Sequence, residues 1–217
     1  MVSMRYRNSI ALGLLALAAL LGAGAGQVQA QAQTQTFAAL PAPTAAAAPV
    51  GEARPIIAWV AFCQAYAAEC ARDRNEPARI ALTAATWNTI VTINRRVNRS
   101  VRAMTDMEHY NVADRWDLAE DGIGDCEDFQ LLKRHILAEA GLPRRAMRMT
   151  VVIDEKGEGH AVLTLITDRG DFVLDNKTSA VLPWHQTGYT FIKREGQDSV
   201  AWVSLGGVTS PVTTANR

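Results

Sequence analysis

The chain has 217 residues, enough for one ordinary domain and too few for two large ones. Lys+Arg and Asp+Glu are both 22, so the formal net charge is zero. That balance excludes a chain built for bulk attraction to nucleic acid or to an anionic membrane surface.

Arg5 and Arg7 precede an apolar run from Ile10 to about Ala25, and Val28-Gln29-Ala30 reads as a signal-peptidase site. The run is shorter than the about 20 apolar residues a spanning helix needs. Residues 1–30 are therefore predicted to be a secretory signal peptide, and the mature chain is expected to be periplasmic. Residues 31–54 are Gln, Ala, Thr and Pro with almost no large apolar side chain, which predicts a disordered linker. The folded domain is expected over 54–205, with a flexible tail over 206–217.

Ile56 to Ala71 reads as one helix with Trp59, Phe62, Cys63 and Tyr66 on its apolar stripe. Pro77 is read as opening a second helix that runs through Trp87, Ile90 and Ile93 to about Met104. Residues 105–125 read as a long loop around Tyr110 and Trp116, and loops of that length in a compact domain are often functional. A third helix is predicted to start at Cys126. Gly122 and Gly124 break the chain before it, Asp125 suits the N-cap, and Gly141-Leu142-Pro143 stops it. Strands follow at 147–153, 160–167, 171–174, 189–193 and 200–204. Helices first and strands second give an α+β class with an antiparallel sheet.

Three cysteines, Cys63, Cys70 and Cys126, lie in the exported part, so at least one thiol has no partner within the chain. Cys63 and Cys70 are the natural pair. On one unbroken helix their Cα atoms would stand about 10 Å apart, beyond the about 7 Å a disulfide tolerates. Either the helix breaks between them or both stay reduced.

Cys126 would carry its thiol at a helix N-terminus, where the dipole and free N–H groups favour a thiolate and can hold an oxyanion. Of the four histidines, His135 lies two turns along the same helix and cannot reach that thiol, whereas His160 opens a strand after a Gly-rich turn. Asp175 ends the next strand, in position to orient an imidazole at the same sheet edge. A two-residue turn at Arg169-Gly170 would leave Asp175 opposite Thr164, about 13 Å along the strand from His160. A longer loop over about 165–170, or a bulge, would close that gap; the alternative is that Asp175 is only a turn-former with Asn176. The reading requires the Cys126 thiol within about 4 Å of one His160 nitrogen and Asp175 at the other.

Asp125, Glu127 and Asp128 suit a helix N-terminus, yet they also raise the pKa of a neighbouring thiol. A bound Ca²⁺, which prefers carboxylate oxygens, would remove the conflict, and Asp106 could supply a further ligand.

The segments Gly124-Asp125-Cys126-Glu127-Asp128-Phe129, Gly157-Glu158-Gly159-His160-Ala161-Val162-Leu163 and Leu174-Asp175-Asn176 resemble the bacterial transglutaminase-like cysteine proteinase family. Trp59-Val60-Ala61-Phe62-Cys63, Asp114-Arg115-Trp116 and Thr187-Gly188-Tyr189 fit as well. The resemblance implies a papain-like fold and a Cys126-His160-Asp175 triad acting on a protein or peptide. It also implies a calcium site beside the nucleophile, at Asp125, Glu127, Asp128 and Asp106. A cell-surface adhesin is the substrate it suggests, and a membrane-bound regulator the partner. Hydrolysis by a monomer is expected. Acyl transfer to an amine and a non-catalytic envelope binding module remain the alternatives.

Overall fold

The computed structural model describes residues 38–207. The segment read as a signal peptide lies outside the described residues, as does most of the tail. In chain order the elements are β1 (Gly51–Ala53), α1 (Ile57–Ala65), α2 (Ala67–Cys70), α3 (Ala84–Ser100), β2 (Arg102–Ala103), α4 (Asp106–Tyr110), β3 (Ile123–Gly124) and α5 (Cys126–Glu139). They continue with β4 (Met147–Ile153), β5 (Gly159–Thr167), β6 (Gly170–Leu174), β7 (Leu182–Pro183), β8 (Thr190–Glu195) and β9 (Trp202–Ser204). The class is α+β. The main sheet has seven antiparallel strands in the order β1-β9-β8-β4-β5-β6-β7.

The strands bury both faces. One face sets Met149, Val151, Ala161, Leu163, Leu165 and Phe172 against Trp59, Phe62, Trp87, Ile90, Phe129 and Leu131 of the helices. The other gathers Val152, Val162, Val173 and Phe191, with Trp184 and Tyr189 packed against them. Alternation along each strand divides its residues between the two clusters.

Four sequence expectations are corrected. The 56–71 helix is broken at Tyr66, where φ is −118° and ψ 60°, giving α1 and α2. The break brings Cys63 and Cys70 to a Cα separation of 5.4 Å, and they form a disulfide. Pro77 opens no helix. The Ile80 N–H donates to Ile166 and its carbonyl accepts from Asp168, so this backbone is committed to the sheet edge. Helix α3 starts only at Ala84, capped by Thr83, whose Oγ1 accepts from the Thr86 N–H at 3.1 Å. The 105–125 loop holds α4, closed by a Thr105–Glu108 capping box, and β3, paired in parallel with β2.

The fourth correction concerns the linker over 31–54. Its described part is held by backbone rather than by side-chain burial. The Thr44 N–H donates to Arg169 O at 2.7 Å, the Ala47 N–H to the Asp171 carboxylate at 3.0 Å, and Trp184 Nε1 to Ala45 O at 3.1 Å. Strand β1 then pairs with β9. Composition reports the poverty of apolar side chains and is blind to main-chain partners of this kind. Likewise Leu205 and Gly207 donate to Ile192 and Phe191 carbonyls, so the first residues beyond β9 still follow β8.

Glu195 of β8 is fully buried at the junction of helices and sheet. It accepts from Trp59 Nε1 of α1 at 2.5 Å, Arg134 Nη1 of α5 at 2.8 Å and the Met149 N–H of β4 at 2.9 Å, and Arg72 lies at 3.4 Å. Burial alone would raise its pKa, but the guanidiniums of Arg134, Arg148 and Arg72 hold it down at about 2. Replacing it with Gln leaves buried guanidiniums uncompensated, and E195Q is expected to lose about 3–5 kcal/mol in urea unfolding near neutral pH. A carboxylate with a lowered folded-state pKa stabilises above its ordinary value of 4.5 and loses that contribution as pH falls towards 2. The gap between wild type and E195Q should therefore narrow below pH 4.5, and a gap that is constant with pH would refute this role.

Candidate active site

Asp125 ends in an extended conformation and α5 begins at Cys126, as the sequence suggests. The turn is closed by Asp128, whose Oδ2 accepts from the Asp125 N–H at 3.2 Å and Oδ1 from the Asp117 N–H at 2.8 Å. Gly124 makes room for this side chain, since a Cβ on it would sit 2.7 Å from both Asp128 Cβ and Oδ2.

Cys126 is the free cysteine, fully buried. Its Sγ accepts from the Ala161 N–H at 3.4 Å, which seats the helix start against β5 immediately beside His160. Its S–H is directed at Glu127 Oε2, 3.2 Å away. His160 Nε2 and Asp175 Oδ1 lie 2.8 Å apart, both residues buried. The structure thus joins His160 to Asp175 and brings Cys126 to their edge of β5. The thiol makes no hydrogen bond to the imidazole.

The difficulty of strand register has a simple resolution. Thr167 pairs with Gly170, so the turn falls at Asp168-Arg169, one residue earlier than the sequence reading placed it. Leu174 then pairs with Leu163, and Asp175 follows one residue beyond, diagonal to His160 on the same face. Oδ1 of Asp175 also accepts from the Lys177 N–H at 3.0 Å, and Oδ2 from the Tyr189 hydroxyl at 2.6 Å. Burial alone would raise the Asp175 pKa, but His160, Tyr189 and Lys177 together hold it below the usual carboxylate range.

The acids predicted around Cys126 do converge. One carboxylate oxygen from each of Asp106, Asp125 and Asp128 lies within 4.8 Å of the others, and the same holds for Asp106, Asp114 and Glu127. Asp114 was not foreseen as part of this group. Its sequence signal was its place in the Asp114-Arg115-Trp116 segment, and its Oδ1 accepts from Trp116 Nε1 at 3.0 Å. Both oxygens of Asp125 and Oε1 of Glu127 are buried without a donor. Burial pushes Asp106 and Asp114 up to about 6 and raises Asp125, Glu127 and Asp128. Burial first, and the charge of Asp125 second, push the Cys126 thiol up to about 12. A cleft of about 530 Å³ opens alongside, between α1 and the 114–117 segment, with Phe62, Tyr66, Asp114 and Trp116 among its walls.

The sequence matches the model of the bacterial transglutaminase-like cysteine proteinases, BTLCP, over residues 50–210. The chain belongs to this family. It is a cysteine peptidase of the transglutaminase-like type. No curated protein matches it. Among solved structures, calcium-bound LapG of Legionella pneumophila is 23% identical with a TM-score of 0.46, covering 58% of this chain and 73% of that one. EGTA-treated LapG of the same organism is 24% identical with a TM-score of 0.46, covering 53% and 65%.

G124A tests the packing at the helix start. The added methyl must displace Asp128, which is bonded on both oxygens, so a loss of about 1–3 kcal/mol is expected. An unchanged melting temperature would show that the Asp128 contacts are dispensable.

Proposed function

We propose that the protein is an exported, calcium-dependent cysteine endopeptidase in which Cys126, His160 and Asp175 form the catalytic triad. The observation that carries the reading is the His160–Asp175 pair, 2.8 Å apart, with Cys126 bonded to the very next residue of β5. Asp175 occupies Nε2, which leaves Nδ1 to receive the thiol proton. Cys126 Sγ attacks the amide carbonyl carbon and its proton passes to His160 Nδ1. That proton then goes to the leaving amine as the C–N bond breaks, leaving a thioester on Cys126. His160 next takes a proton from water, hydroxide attacks the thioester carbonyl, and the thiol is restored as the acid leaves. N–H groups at the start of α5 would serve as donors to the developing oxyanion.

The residues present suit Ca²⁺. Two overlapping groups of carboxylates, Asp106-Asp125-Asp128 and Asp106-Asp114-Glu127, with three oxygens buried without a donor, offer the hard oxygen ligands that this ion takes. Asp106, Asp114, Asp125, Glu127 and Asp128 would hold it. When bound it would neutralise the acids that now oppose a thiolate at Cys126. Calcium at millimolar concentration should raise the melting temperature, as any ligand of the native state does. A melting curve unmoved by calcium would remove the metal from this reading.

Export rests on the predicted signal peptide at 1–30, and the Cys63–Cys70 disulfide suits an oxidising compartment such as the periplasm. No helix among the described residues is long and apolar enough to cross a membrane. A cell-surface adhesin is the substrate and a membrane-bound regulator the partner that the family resemblance suggests, and the protease is proposed to act as a monomer. Hydrolysis is proposed over acyl transfer because 105–124 offers no exposed aromatic lid, its exposed large apolar side chains being Met107 and Val112. Its aromatic residues are Tyr110 and Trp116, and Trp116 is buried. Incubation with casein and excess primary amine should yield free carboxyl termini by mass spectrometry, absent with C126A. Mainly amine-coupled product would show a transglutaminase instead.

A further inference from the structure

We infer that Tyr189 is a positioning residue of the proposed triad, acting through the carboxylate of Asp175; the inference rests on the triad reading above. An acid that orients an imidazole must present one oxygen in a fixed direction, and a carboxylate rotates about its Cβ–Cγ bond unless its second oxygen is held too. Here Oδ1 is shared between His160 Nε2 at 2.8 Å and the Lys177 N–H at 3.0 Å, while Oδ2 takes the Tyr189 hydroxyl at 2.6 Å. The backbone is pinned as well, since Asn98 Nδ2 of α3 donates to Asp175 O at 2.8 Å. Tyr189 is the side-chain group on Oδ2. Its ring also stands edge-on to the His160 ring, with centroids 5.7 Å apart and planes at 82°, so one residue contacts both the acid and the base.

Tyr189 suits a permanent donor. Burial, then the Asp175 bond and charge, raise its phenol further from neutrality, so the hydroxyl keeps its proton throughout the working range. Charges facing Asp175 include Lys133 of α5, Lys177 and His160 itself. A cavity of about 30 Å³ lies beside Asp175 and Tyr189. Phe at 189 would keep the packing and leave Oδ2 to whatever water that space admits, at a loss of direction rather than of fold.

The test is a double-mutant cycle on the second-order rate of Cys126 alkylation by iodoacetamide at neutral pH, followed by intact mass. This readout needs no natural substrate, and the other two cysteines are in a disulfide. Y189F, D175A, the double variant, H160A and wild type are compared, with melting temperatures alongside. If Tyr189 acts through Asp175, Y189F slows alkylation about 5-fold, about 1 kcal/mol. The double variant then matches D175A alone, and the melting temperature of Y189F stays close to wild type. Y189F alkylating at the wild-type rate while D175A and H160A are slow overturns the role of Tyr189 and leaves the triad standing. An equal effect of Y189F in both backgrounds marks a merely structural residue and overturns it too. H160A alkylating like wild type sinks the triad reading, and the Tyr189 role with it.

Discussion

The carboxylate of Glu195 is the fixed point around which this domain is assembled. Four elements meet there: α1 through Trp59, α5 through Arg134, β4 through the Met149 N–H, and β8, which carries the acid. A charge in such a place is tolerated only with partners on both oxygens, and it has them. Buried ion networks add little net stability compared with an apolar core, but they allow few alternative arrangements. What this one specifies is the seating of α5 on β4 and β8. Cys126 is the first residue of α5, so the position of the thiol relative to β5 follows from contacts made two turns further along the helix.

The opposite end of α5 shows the reverse electrostatics. Glu195 is negative among guanidiniums and falls to about 2, whereas burial, with other acids nearby, raises Asp106 and Asp114 to about 6. The fold has gathered several buried carboxylates close to one another and has left three of their oxygens without a donor. Folding stability alone would not select such a cluster. It is the arrangement expected where a cation completes the structure, and the charge of Asp125 adds to burial in raising the pKa of the Cys126 thiol, whose S–H is turned to Glu127.

Much of the site was legible in the sequence because its signals are local. A Gly-Asp break before an amphipathic run marks the start of α5, and β4 matches its predicted limits of 147–153. The illegible parts depend on distant partners. The 77–83 segment follows helix-start grammar at Pro77, yet Ile80 gives its backbone to Ile166 and Asp168. The Pro/Ala-rich stretch before β1 lacks apolar side chains and is held through its amides. Tyr66 shows nothing in composition that would break a helix, and only the disulfide geometry makes the break intelligible. Asp114 and Tyr189 fell within family motifs, but which oxygen each would meet is set by tertiary register.

That register depends on a contact remote from the chemistry. A slip of one residue between β5 and β6 would carry Asp175 to the other face of the sheet. The turn that prevents it closes at Gly170, whose φ is +104° and whose missing Cβ would otherwise sit 2.4 Å from the Thr44 carbonyl oxygen. Thr44 donates in turn to Arg169 O, and Ala45 O accepts from the Asp171 N–H at 3.3 Å. The stretch ahead of β1 therefore clamps the β5–β6 turn from outside, while Arg194 of β8 holds Asp171 from within at 3.0 Å. Asp175 lies only four residues beyond Asp171 along the same chain. The placement of the acid at His160 is thus fixed at the far end of a hairpin, by a segment whose composition alone would assign it no structure at all.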